Sequence, residues 1–347
     1  MWKWIKRGVI GVLLTVSLLA LAAYGYVRSL DLDAEPVVDT EVSGTDLGFA
    51  SIASSERGRI LIVVTSTAAL ANGKRSGYEL TEVSRAWWVF VHNGYAVDIA
   101  SPLGGEPPMV RDDDLIEADH AFLNDPLAQA RLRASIALAD VDPARYAGVY
   151  FAGGKGTMFD FPNNPEIVRI LREIVPRGVV GAVCHGPAAL LGVTLADGSP
   201  LLRGRRVTGF SNAEELFLAA DARERLGFLL QDALAAEAGG YLEAPMYLEH
   251  SIVDGRLVTG QNPWSTWAVA EGMIRALGHA PVARPLTAEE RSVQLLATYH
   301  QSGLSAALLA KAEGPRSDKR LLLMHALIAA MRWRIGEAWA LQRLARG

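Results

Sequence analysis

The chain reads as a doubly wound α/β domain, a mostly parallel sheet with helices on both faces in the flavodoxin-like manner. Three observations predict it. Short continuous apolar runs of strand length alternate with helical patterns between about Glu56 and Gly278. Those runs are apolar on both faces, as strands covered by helices on both sides must be. Gly-rich and Ser/Thr-rich turns follow several of them, where α/β domains collect their ligands.

Arg59-Ile-Leu-Ile-Val-Val-Thr65 is the first such run. Tyr95–Ala100, Tyr146–Phe151 and Val179–Val183 repeat the pattern, and Arg206–Gly209 and Arg256–Gly260 are shorter candidates. Helical periodicity covers Glu79–Asn93 and Pro263–Leu277. It also covers Pro165–Val175, where Asn164 is placed to cap and Pro165 suits a first turn. Beyond the domain, Thr287–Ala312 and Ser317–Ala345 read as two helices separated by Gly314-Pro315. The organisation expected is therefore residues 1–28 as a membrane anchor or signal segment, 29–56 as a tether, 57–280 as the catalytic domain and 281–347 as a helical extension.

Composition narrows the function. The 347 residues carry a net charge of −4 with no long basic run in the core, which disfavours nucleic acid. One cysteine excludes an intramolecular disulfide framework and any multi-thiolate metal site. The seven histidines are scattered, and no two share a spacing such as HxxxH, so nothing asks for a metal.

At the N-terminus, Lys3, Lys6 and Arg7 precede Gly8–Val27, twenty residues without a charge, and Asp31, Asp33 and Glu35 follow. Such a stretch is long enough to cross about 30 Å of hydrocarbon as a helix. The charge asymmetry places the N-terminus in the cytoplasm and the main domain outside the inner membrane. Ala20-Leu-Ala22 offers the rival reading of a cleaved signal peptide.

The most informative stretch is Gly181-Ala-Val-Cys-His-Gly-Pro-Ala-Ala189. It sets Cys184, with His185 beside it, between a buried strand and what reads as the first turn of a helix. A nucleophile on that turn is pushed out of the sheet toward a positive helix end. The expectation is a thiol that ionises near neutral pH. An inert buried cysteine is the bland alternative.

Cys184-His185-Gly186-Pro187 after a strand resembles the ThiJ/PfpI superfamily, the thiol branch of class I glutamine amidotransferase-like folds. Ser76-Gly-Tyr-Glu-Leu-Thr-Glu82, Val97–Pro102, Asp140–Pro143, Gly153-Gly-Lys-Gly-Thr-Met-Phe-Asp160, Val207–Glu215 and Asp254–Pro263 narrow the resemblance. Together they look like the heat-shock chaperone and cofactor-independent glyoxalase branch, over roughly residues 57–280. The resemblance implies that Cys184 is the nucleophile, that Glu82 contacts the thiol, and that His185 is oriented by Glu215 or its neighbour Glu214. It implies that the backbone around Gly154, Lys155 and Gly156 joins the His185 N–H in an oxyanion hole. Buried beside Cys184, Glu82 is expected to have a raised pKa and to shuttle protons.

Relatives commonly carry His where this chain has Lys155. An ammonium there either favours the thiolate or points to solvent. The late segment Thr259–Pro263 lacks the His-x-Glu pair a glutaminase carries, which argues against glutamine hydrolysis. What the resemblance implies is a cysteine-dependent lyase of the glyoxalase III kind, or a deglycase, acting on small dicarbonyls such as methylglyoxal without a cofactor. A thiol amidase or peptidase, or a non-enzymatic holdase or redox sensor, is the alternative. Relatives are often dimers, so the resemblance also points to a homodimer.

Overall fold

The computed structural model describes residues 2, 13–14, 16–18, 20–21, 24–26, 28–32, 36–50, 56–111 and 114–347. The chain divides into two compact units, Val38–Pro285 and a second made of Met1–Val37 with Leu286–Gly347.

The first unit is built on a seven-stranded sheet. In chain order its strands are β1 (Arg59–Val63), β2 (Ala96–Ser101), β3 (Ile136–Ala137), β4 (Gly148–Phe151), β5 (Val179–Val183), β6 (Ser251–Asp254) and β7 (Leu257–Gly260). Their spatial order is β6-β7-β5-β4-β1-β2-β3. All pairs are parallel except the β6–β7 hairpin. The α/β architecture expected from the sequence is therefore present. β1, β4, β5 and β7 are buried throughout or nearly so, which is why their sequences run apolar without alternation.

The helices of this unit include α1 (Leu80–His92), α2 (Glu117–Asn124), α3 (Pro165–Ile174), α4 (Asn212–Leu218) and α5 (Thr266–Ala276). In α3, Ile167, Ile170, Leu171 and Ile174 form one fully buried stripe. The Asn164 side chain caps this helix by accepting from the Glu166 and Ile167 N–H groups. α5 packs on β5, β7 and α1. Gly181 makes that approach possible, because a Cβ there would lie 2.2 Å from the Met273 sulfur. Residues 38–50 lie against this unit, with the Asn124 amide donating to the carbonyls of Thr40 and Val42.

Several elements depart from expectation. Arg206–Val207 is not part of the main sheet; it pairs with Gly240–Tyr241 in a two-stranded ribbon. The edge strands β3 and β6 escaped the sequence reading because both are short and only partly buried. The turn after Cys184 is a five-residue 3-10 segment, Gly186–Leu190, and not the start of an α-helix. The aligned dipoles of a longer helix are thus absent at the thiol.

The second unit contains α6 (Ala288–Glu313), α7 (Lys319–Met331) and α8 (Ile335–Arg346). The expected second C-terminal helix is broken at Arg332–Arg334, where Trp333 takes a left-handed φ of 59°. α6 is itself kinked at Gly303, whose φ is 81°. Lys311 closes the end of α8 by donating to the Leu344 and Ala345 carbonyls.

The anchor expected over Gly8–Val27, and with it the placement of the main domain outside the inner membrane, is not upheld. Among the described residues no helix is long and apolar enough to cross a membrane. Much of Gly8–Val27 lies outside the described residues.

Candidate active site

β1 is the strand from which the sheet winds both ways, with β2 on one side and β4 on the other. The crevice beyond the carboxyl ends of such strands is the usual ligand position in doubly wound sheets. The turns after β4 and β5, together with the first turn of α1, meet there. They bring Gly153, Cys184 and Glu82 into contact.

Cys184 directly follows β5 and adopts φ 58°, a left-handed conformation that is strained for any residue with a Cβ. Its backbone holds it there from two sides. Its N–H donates to the Gly260 carbonyl at 3.0 Å, and its carbonyl accepts from the Phe210 N–H at 2.8 Å. Gly186 lets the chain turn away, since a Cβ there would lie 2.2 Å from the Phe151 carbonyl oxygen. The sulfur stands 3.3 Å from His185 Nδ1.

Glu82 is completely buried in the first turn of α1. Its Oε2 accepts the Gly153 N–H at 2.5 Å, and the Tyr150 phenol donates to its main-chain carbonyl at 2.9 Å. Gly153 is required at this crossing. A Cβ there would lie 2.8 Å from both Glu82 Oε2 and the His185 nitrogen. The thiol is hydrogen-bonded to Glu82 and only 3 % exposed. Burial, then the carboxylates of Glu82 and Glu79, push it well above the ordinary thiol range. This corrects the expectation of a protruding, readily ionised thiol. The sulfur is enclosed, with a carboxyl group beside it.

On the other side, His185 Nε2 meets Glu215 Oε2 at 2.5 Å. The Phe210 ring lies against the imidazole with centroids 4.6 Å apart. Lys155 Nζ meets the remaining oxygen of Glu215 at 2.9 Å. Burial opposes the charge on Glu215, but His185 and then Lys155 outweigh it and hold the carboxyl at about 2. Of the two adjacent glutamates it is thus Glu215 that touches His185. Glu214 is equally buried and serves a different purpose. It accepts from the Ser211 N–H and hydroxyl at the start of α4, from the Tyr247 N–H, and from the Asn262 amide. Tyr247, held in this way, has a left-handed φ of 59°.

The turn 153–156 needs its glycines. Gly154 has φ 101°, and a Cβ there would sit 2.2 Å from the Gly77 carbonyl oxygen. At Gly156 a Cβ would lie 2.8 Å from the Thr65 side chain. The Thr157 hydroxyl reaches the carbonyls of Gly154 and His185, tying this turn to the one bearing the thiol. Glu82 takes the Gly153 N–H, and the neighbouring turns also carry the N–H groups of Gly154, Lys155 and His185. None of these finds an acceptor among the described residues.

Sequence reasoning missed four contributors. Glu79 is within electrostatic reach of the thiol, and helical spacing ahead of Glu82 could have suggested it. Phe210, Thr157 and Tyr247 carry no local signal, because their roles arise from chain crossings. Among the described residues no group of three or more His, Cys, Asp or Glu side chains is arranged to hold a metal.

Residues 73–276 match the DJ-1/PfpI family. The chain belongs to that family. Among DJ-1/PfpI relatives, "Glyoxalase 3" of Candida albicans is 30% identical over 63% of this chain and 98% of its own length. "Glutathione-independent glyoxalase HSP31" of Saccharomyces cerevisiae is 31% identical, again over 63% of this chain and 98% of its own. Of solved structures, the Rapid Encystment Protein 24 kDa of Francisella tularensis superposes with a TM-score of 0.60 at 33% identity, covering 63% of this chain and 99% of that one. The glyoxalase III of Candida albicans superposes with a TM-score of 0.58 at 29% identity, over 64% and 98%.

Proposed function

We propose that this DJ-1/PfpI protein is a cysteine-dependent glyoxalase that converts reactive dicarbonyls such as methylglyoxal into hydroxy acids without a cofactor. The observation that carries the reading is the position of one sulfur. Sγ of Cys184 lies 3.3 Å from the imidazole of His185, and the buried carboxyl group of Glu82 acts directly on the thiol. Relatives that share this fold at about 30% identity are themselves named glyoxalases.

The chemistry follows from the groups present. The thiol proton passes to Glu82 or His185 as sulfur attacks the aldehyde carbon, and backbone N–H groups hold the developing oxyanion. The oxyanion then takes a proton, which gives a hemithioacetal. Removal of the hydrogen from that carbon by Glu82 or His185 gives an enediol. Return of the proton to the neighbouring carbon leaves a 2-hydroxy thioester. Water cleaves the C–S bond, releasing lactate and restoring the thiol. One carbon is oxidised and its neighbour reduced, so the sequence balances within the substrate. Overall the product is substrate plus one water.

Glu215 orients His185, and the same Cys–His–Glu order also suits acyl transfer from an amide. An amidase is therefore the second reading. The test is lactate release from methylglyoxal by the purified protein, run beside a panel of amides. Lactate from the wild type and none from Cys184→Ala supports the glyoxalase. Turnover of amides alone, or equal silence of both proteins toward methylglyoxal, rejects it.

A further inference from the structure

The side chain of Lys155 belongs to this site in a way the turn around it does not require. Its neighbours Gly154 and Gly156 are demanded by backbone geometry. Lys155 itself reaches across to α4, where Nζ lies 2.9 Å from Glu215 Oε1, while Glu215 Oε2 holds His185 at 2.5 Å. The result is a line of four groups: thiol, imidazole, carboxylate and ammonium. The sulfur–nitrogen contact at its inner end is 3.3 Å, and the ammonium at its outer end is about one-third exposed.

The charges around this line are unbalanced without Lys155. Carboxyl groups approach the thiol and imidazole from two elements: Glu79 and Glu82 at the start of α1, and Glu214 and Glu215 on α4. Glu214 already has four donors. Glu215 is 95 % buried at its side chain and has a cationic or potentially cationic partner on each oxygen. A buried carboxylate that loses one such partner must draw compensation from the other.

We propose that Lys155 is a positioning residue that shares the charge of Glu215 with His185, one partner on each carboxylate oxygen, and so holds that carboxylate in place for orienting the imidazole. The assignment deepens the glyoxalase reading above and rests on it for the catalytic arm only.

The test uses the full chain with Lys155→Met and Lys155→Arg, and two measurements at neutral pH. The first is the rate of Cys184 alkylation by iodoacetamide. In Lys155→Met the charge of Glu215 falls on His185 alone, and positive charge drawn onto the imidazole beside the sulfur favours the thiolate. Alkylation is therefore expected to quicken at least threefold, returning to within twofold of wild type in Lys155→Arg. The second is methylglyoxal turnover, where kcat is expected to fall at least tenfold in Lys155→Met with KM changed less than threefold. Arginine should restore kcat to within threefold. The two readouts thus move in opposite directions, which simple loosening of the site would not produce. Alkylation that is unchanged or slowed in Lys155→Met overturns the assignment. A wild type inert to dicarbonyls, with alkylation still following the order Met, then Arg and wild type, rejects the glyoxalase reading and leaves the role of Lys155 standing.

Discussion

Cys184 occupies a backbone conformation that costs an L-residue roughly 1–2 kcal/mol, and φ 58° is kept by hydrogen bonds on both sides of the residue. The strain gives a stability test that separates site geometry from chemistry. Cys184→Ala retains a Cβ in the left-handed region, whereas Cys184→Gly does not. The glycine variant should be the more stable of the two by about 1 kcal/mol, the reverse of the usual order. Denaturant midpoints of the two variants measure it. Glu215 yields a second expectation. Its carboxyl lies at about 2 against an ordinary 4.5, so it binds protons less readily folded than unfolded. The stability this confers is complete above about pH 4.5 and disappears as pH falls through 2. Two to three pK units correspond to on the order of 3 kcal/mol. Urea unfolding at pH 5 and pH 3 should therefore show a smaller acid loss in Glu215→Gln than in the wild type. An equal loss would place the acid sensitivity elsewhere.

At the scale of elements, the site depends on close approach of three chain segments. Gly154 is the tightest case, with φ 101° and a Cβ position 2.2 Å from the Gly77 carbonyl oxygen. Gly154→Ala must displace the turn that carries Lys155 and the N–H donors. We expect it to destabilise the fold by about 2–3 kcal/mol and to lower kcat at least tenfold. Activity and melting temperature both close to wild type would show that the turn can relax. The helix caps allow a milder comparison. Asn164 caps α3 away from the thiol. Asn164→Ala should cost about 1 kcal/mol and leave kcat unaltered, so that stability and catalysis are read independently. The fate of the turn after Cys184 belongs to this scale too. Pro187 suits a helical first turn in isolation, but only five residues of 3-10 geometry form before the chain extends at Leu191. The thiol is therefore governed by burial and Glu82 and not by a helix dipole.

For the whole molecule, every residue placed in the candidate site lies within Val38–Pro285. The relatives cover nearly their full length with 63% of this chain. The α/β unit therefore corresponds to an entire relative, and the helical unit is additional to it. A protein consisting of residues 38–285 should fold and retain methylglyoxal turnover within threefold of the full chain. Loss of kcat with secondary structure intact, by circular dichroism, would show that the helical unit contributes to the reaction.

The sequence by itself determined the central strands and the turn that carries Cys184. β1, β4 and β5 were visible because strands buried on both faces must be apolar at every position. The elbow was visible because glycines and a lone cysteine crowd one turn. Both are local constraints, written where they act. The choice between Glu214 and Glu215, the partner of Lys155, and the enclosure of the sulfur were decided only by tertiary structure. Adjacent glutamates in one helical turn look alike in sequence, yet their side chains leave the helix about 100° apart, so that one meets Tyr247 and Asn262 and the other His185 and Lys155. Burial of the thiol likewise follows from segments far apart in the chain closing over it, and no local pattern encodes that.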